Sequence, residues 1–113
     1  MKKFKDLRLG DGFLCLRVYG TKFVCFWLTI QATDYESTYH VISDNFDKYT
    51  IMISGDSDIN GSTIILFSGG EYIDEELKEY AFETLEDCKK FAIDYCQKKV
   101  KEYEQAIQSI ESW

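Results

Sequence analysis

A chain of 113 residues, 45% apolar and 16% aromatic, has the size and the material for one continuous core, and so many aromatics exclude a disordered chain. The net charge of −7 is concentrated in the middle: residues 34–87 carry fourteen acids against two bases, whereas residues 1–33 carry six bases against two acids. A field of that sign repels nucleic acid and attracts basic surfaces, which disfavours direct phosphate binding.

The opening Met1–Asp6 lacks the apolar core of a secretory signal. The longest apolar run, Phe23 to Leu28, is far short of the roughly 20 residues of a membrane helix. Both point to a cytoplasmic chain with no membrane partner. Lys2, Lys3, Lys5 and Arg8, with Phe4 and Phe13 beside them, read as a solvated basic end. Phe13 to Tyr19 and Phe23 to Ile30 are rich in β-branched and aromatic residues and flank Gly20-Thr21-Lys22, the pattern of a hairpin.

Tyr39 to Ser43 is a further strand candidate, ended by a polar turn at Asp44-Asn45. Tyr49 to Ser54 and Thr63 to Ser68 read as a second hairpin across the loop Gly55 to Ser62, and Gly69-Gly70 breaks the pattern. Asp74 to Glu79 reads as one exposed helical turn and Tyr80 to Glu83 as a short edge strand. A long helix then starts at Thr84, a good N-cap, with Glu86 and Asp87 in its first turn. Leu85, Cys88, Phe91, Ala92, Tyr95, Val100, Tyr103, Ile107 and Ile110 recur at helical spacing and form an apolar stripe. Such a helix, about 40 Å long, outruns a small sheet, so Tyr103 to Trp113 should overhang.

With no proline, repeat or linker, the expectation is one domain over 1–113, mainly β over 1–83 and helical over 84–111. The fold class is α+β: a bent antiparallel sheet of four to six strands with one long C-terminal helix.

Catalytic motifs are poorly supported. Asp56-Ser57-Asp58-Ile59-Asn60-Gly61 matches the first half of a calcium loop, making Asp56, Asp58 and Asn60 a weak metal candidate, but Phe67 stands where the bidentate glutamate belongs. Cys15, Cys25, Cys88 and Cys96 lack the paired spacing of a metal site and sit in apolar patterns, as reduced core thiols do. His40, the single histidine, occupies an alternating stretch where an exposed strand position accounts for it, which disfavours a catalytic pairing with Cys15 or Cys25. No cofactor and no enzymatic activity are expected.

The remaining signal is acid threaded with aromatics: Asp34, Tyr35 and Glu36; Asp44 and Asp47; Glu71, Tyr72, Asp74, Glu75, Glu76 and Glu79. Carboxylates that steer and aromatics that supply contact area suit a protein partner with a basic surface. An alternative is a homodimer formed through Tyr103, Ile107, Ile110 and Trp113, and another is a small-ligand or calcium-binding domain.

The stretch Phe4-Lys5-Asp6-Leu7-Arg8-Leu9-Gly10-Asp11 resembles the opening of many small phage and bacterial proteins in which D-L-x-x-G-D leads into an SH3-like barrel. The resemblance implies a small curved sheet, a partial barrel whose first strand begins near Phe13. In size, acidity and lack of catalytic motifs the chain is also similar to phage-encoded anti-CRISPR and other anti-defence inhibitors. That similarity implies an acidic, nucleic-acid-mimicking surface that blocks a basic groove.

Overall fold

The computed structural model describes residues 2–35, 38–53, 55–68 and 76–113. Its strands are β1 (Gly12–Tyr19), β2 (Lys22–Tyr35), β3 (Thr38–Ser43), β4 (Lys48–Met52), β5 (Ser62–Ile64), β6 (Leu66–Phe67) and β7 (Leu77–Phe82), and the helix α1 (Leu85–Glu111) follows. All pairings are antiparallel, in the order β5-β7-β1-β2-β3-β4-β6.

The ends of that order carry the architecture. β5 and β6 are separated by Ile65 alone, yet β5 pairs with β7 at one edge and β6 with β4 at the other. One short extended segment therefore stitches both edges, and the sheet curls into a nearly closed barrel. Closure removes unpaired backbone that an open edge would present. The strand following Asp11 is the expected first strand, and the seven strands exceed the expected four to six because the closing segment is split in two.

The hairpin between β1 and β2 turns on two residues, Gly20 and Thr21, with Tyr19 opposite Lys22 and Gly20 at φ 58°. This register decides what each face of β1 buries. Phe13 and Cys15 point into the barrel with Leu28, Ile30, Tyr39, Val41, Ile51, Ile64, Leu66 and Ala81. Leu14, Leu16 and Val18 point outward, beneath the helix. β1 is therefore apolar on both faces apart from Arg17, because both faces are covered. Cys15 and Cys25 fall on opposite faces, since Cys15 stands opposite Phe26 and Cys25 opposite Leu16.

One end of the barrel is plugged. The 3-10 turn Phe4–Asp6 inserts the fully buried Phe4 edge-on against Phe13, ring centroids 5.4 Å apart, and Tyr39 Oη donates to the Phe4 carbonyl at 3.0 Å. The basic end is thus folded in, its backbone bonded to the loop before β5 through Phe4 N to Ser57 O, Lys5 N to Gly55 O and Ile59 N to Lys2 O.

Where a helical turn was expected over Asp74–Glu79 and an edge strand over Tyr80–Glu83, the chain forms β7, an interior strand between β5 and β1. An acidic stretch can take that place because Glu79 and Ala81 point inward, where Glu79 has a charge partner, while Tyr80 and Phe82 lie under the helix. The Gly69-Gly70 break and the first two residues of the expected turn, Asp74 and Glu75, lie outside the described residues. α1 begins as expected, Thr84 Oγ1 accepting from Asp87 N at 3.2 Å. Among the described residues no helix is long and apolar enough to cross a membrane.

Candidate functional site

The helical stripe read from the sequence divides into two faces. Cys88, Phe91, Ala92 and Tyr95 pack on the outer wall of the barrel against Leu14, Leu16, Val18, Phe23, Tyr80 and Phe82. Phe91 is the centre of this contact, its ring 4.7 Å from that of Tyr80 and 5.1 Å from that of Phe82, while Phe23 meets Tyr95 edge-on at 5.9 Å.

From Cys96 onward every residue is exposed. The overhang therefore starts about two turns earlier than the expected Tyr103: Cys88 lies against Cys25 and Tyr95 against Phe23, so α1 runs along β2 towards the β1–β2 turn and outruns the barrel soon after Tyr95. About 24 Å of helix projects, which gives the molecule dimensions of 55 × 31 × 25 Å. On the projecting part Val100, Tyr103, Ile107, Ile110 and Trp113 are 55%, 70%, 54%, 53% and 94% exposed. Ile93 and Cys96 extend this row backwards at the same three- and four-residue steps and are also exposed. At 100° per residue the row lies about a quarter-turn from the barrel-facing row. Of the dimer candidates, Tyr103, Ile107 and Ile110 are thus brought onto one face, while Trp113 lies past the end of the helix; the sequence reading missed Ile93 and Cys96 because it merged two rows into one stripe.

Among the described residues, the acidic candidates do not share one face. Glu79 is buried and does structural work: its Oε2 accepts from Arg17 Nε at 3.2 Å and Nη2 at 3.1 Å, and its Oε1 accepts from Leu66 N at 3.3 Å. Leu66 is the residue at which the closing segment changes edges, so this carboxylate ties β1, β7 and the stitch together. A carboxylate so enclosed cannot meet a partner, and Glu79 leaves the partner-facing set. Burial opposes the Arg17 charge, but the Glu79 carboxylate outweighs it and raises the Arg17 pKa; the guanidinium also lies over the Phe26 ring at 5.2 Å. Cys15 Sγ lies 3.9 Å from Glu79 Oε2, and burial first, then that negative charge, push the Cys15 thiol pKa well up.

Asp34 pairs with His40 Nε2, and His40 Nδ1 lies 3.2 Å from Thr50 Oγ1. His40 and Thr50 stand directly opposite on β3 and β4, pointing away from the core, so this string is a cross-strand ladder on the outer wall. Asp44 and Asp47 sit in the exposed β3–β4 turn on either side of Phe46, which is 80% exposed at φ 67°. Glu76 is exposed in the turn just before β7. Glu36, Glu71, Tyr72, Asp74 and Glu75 lie outside the described residues, as does the side chain of Tyr35.

The calcium-like loop serves as a corner. Ile59 is fully buried in the barrel, Asp56 pairs with Lys5 at 3.4 Å, and Asn60 Oδ1 accepts from Glu83 N at 2.9 Å. Among the described residues no three His, Cys, Asp or Glu side chains gather as metal ligands. All four cysteines are free thiols; Cys25 and Cys88 bring their sulfurs to 3.6 Å between β2 and α1, and burial, then the contact with Cys25, push the Cys88 thiol up to about 12. No protein-family model, curated protein or solved structure matches the chain, so its site is read from its own chemistry.

Proposed function

We propose that this protein is a non-enzymatic interaction module, in which a small plugged barrel holds out a helical arm whose exposed apolar row is the contact surface. The observation that carries this reading is the row of Val100, Tyr103, Ile107 and Ile110, each more than half exposed on helix that leaves the barrel behind. Large apolar side chains in contiguous rows are the mark of an interaction site on a protein surface, and a helix face with anchors at three- and four-residue steps is a recurring recognition element. The test compares the wild-type chain with Ile107→Asp/Ile110→Asp in chemical cross-linking and affinity capture. The expected result is loss of the captured partner, be it another protein or a second copy, with the barrel still folded. Capture that is unchanged by the substitutions would defeat the reading.

A second reading is favoured by the tip of the β3–β4 turn, where Phe46 stands out between Asp44 and Asp47. It is an acidic contact for a basic protein surface, in the manner of an inhibitor that occupies a nucleic-acid groove. Binding by this tip should weaken with added salt and with Phe46→Ala or Asp44→Lys/Asp47→Lys, and salt-independent binding would remove it.

A further inference from the structure

We infer that the partner of the projecting row is a second copy of this chain, joined in parallel and in register as a short two-stranded coiled coil; the inference rests on the helical-arm reading above. The row Ile93, Cys96, Val100, Tyr103, Ile107, Ile110 advances by three, four, three, four and three residues. That is an a/d heptad pattern with Ile93, Val100 and Ile107 at a and Cys96, Tyr103 and Ile110 at d. An average step of 3.5 residues is the geometry that keeps one helix face on a partner helix. All three a positions are β-branched, the choice that favours two strands in parallel pairs.

Polarity follows from the flanks. In a parallel pair each g residue faces the e residue of the partner's next heptad. The pairs are then Ala92 with Gln97, Lys99 with Glu104 and Ala106 with Glu111. By symmetry the Lys99–Glu104 attraction occurs twice, and no like charges meet. An antiparallel pair centred on the same row sets Lys99 against Ala106 and Glu104 against Gln97, with no attraction to gain. Within one chain Lys99 reaches Glu102 at 3.3 Å on the exposed surface, a contact that it can exchange at little cost. The row also lies aside from the barrel-facing row, so two helices can meet with a barrel on either flank.

Two and a half heptads make a short seam, and the expected dissociation constant is on the order of 10 μM. Sedimentation velocity from about 1 μM to about 1 mM brackets that value. The wild type should pass from monomer to dimer, whereas Val100→Asp/Ile107→Asp should stay monomeric with an unchanged circular dichroism signal from the barrel. Lys99→Glu leaves the apolar row intact and turns both attractive pairs repulsive, weakening the dimer about tenfold at low salt.

Cys96 reports polarity directly, because d residues of a parallel in-register pair face their own copies. The probe is a diazene oxidant: two Cys96 thiols give up two protons and two electrons to form one interchain disulfide, and the diazene is reduced to the hydrazine. A covalent dimer that Cys96→Ser abolishes supports the proposal. A dimer that never links through Cys96 overturns the parallel register. A wild type that is monomeric throughout overturns the second copy as partner, and the helical-arm reading then stands or falls on its own capture experiment.

Discussion

Glu79 shows how much one carboxylate can hold. It satisfies the Leu66 amide at the chain's change of edge and pairs with Arg17 across the β1–β7 ladder. Removing one member of a buried pair strands the other, at a cost of several kcal/mol. Because Arg17 is one-third exposed and can recover some hydration, Glu79→Ala should cost about 3 kcal/mol, at the lower end of that range; urea unfolding measures it. Beside it, Cys15 is a thiol that the fold holds protonated. In the unfolded chain the thiol ionises near pH 8.5, and in the folded chain only far higher. Between those values the folded state binds one proton more, so stability is full below about pH 8.5 and falls as pH rises, by at most about 1.4 kcal/mol per pH unit from this group. Cys15→Ala should flatten the pH dependence of the urea midpoint above pH 8.5; an unchanged slope would place its origin elsewhere, for example in Cys88 or Tyr39, whose pKa values burial also raises.

At the scale of elements, the two halves of α1 should respond oppositely to truncation. Phe91→Ala empties the ring cluster with Tyr80 and Phe82 and should cost about 3 kcal/mol. Ile107→Ala, at concentrations where the chain is monomeric, should fall within about 0.5 kcal/mol of wild type, because its side chain stands on the exposed arm away from the barrel. Thr84→Ala loses the cap and should cost about 1 kcal/mol. Thermal melts of the three variants at low concentration check the ordering.

The first hairpin and the helix were legible because their signals are local: turn residues between β-branched runs, and a capped three- and four-residue periodicity. β7 was legible only over Tyr80–Phe82; its first half, read as a helical turn, and its interior place were not, because the acidic Glu79 is explained by Arg17, 62 residues away. The split of the closing segment was equally hidden, since nothing near Ile65 states that its two sides pair with different strands. The exposure of Tyr103, Ile107, Ile110 and Trp113 was legible from an unmatched length of helix. The inward turn of Glu79 was not, because charge along a sequence does not say which carboxylates are buried.

The whole molecule joins a barrel with two covered layers to a rod with none. Amide exchange should divide accordingly. Amides of β1 and β7, paired on both sides and packed from within and without, should exchange slowest. Those of residues 96–111 should exchange orders of magnitude faster in dilute protein and slow as concentration rises if the arm finds its copy. Exchange measured at two concentrations separates these contributions.

The stitch at Ile65 also constrains how this protein can vary. Ile64 and Leu66 face inward on either side of it, one against β7 and the other against β4. Since side chains alternate along a strand, inserting or deleting one residue there would turn one of the two inside out and misalign its edge. The outward Ile65, 43% exposed, can in contrast change identity freely. In related chains the spacing between these two inward residues should persist where the residue between them drifts, so that length, more than composition, is what descent must keep.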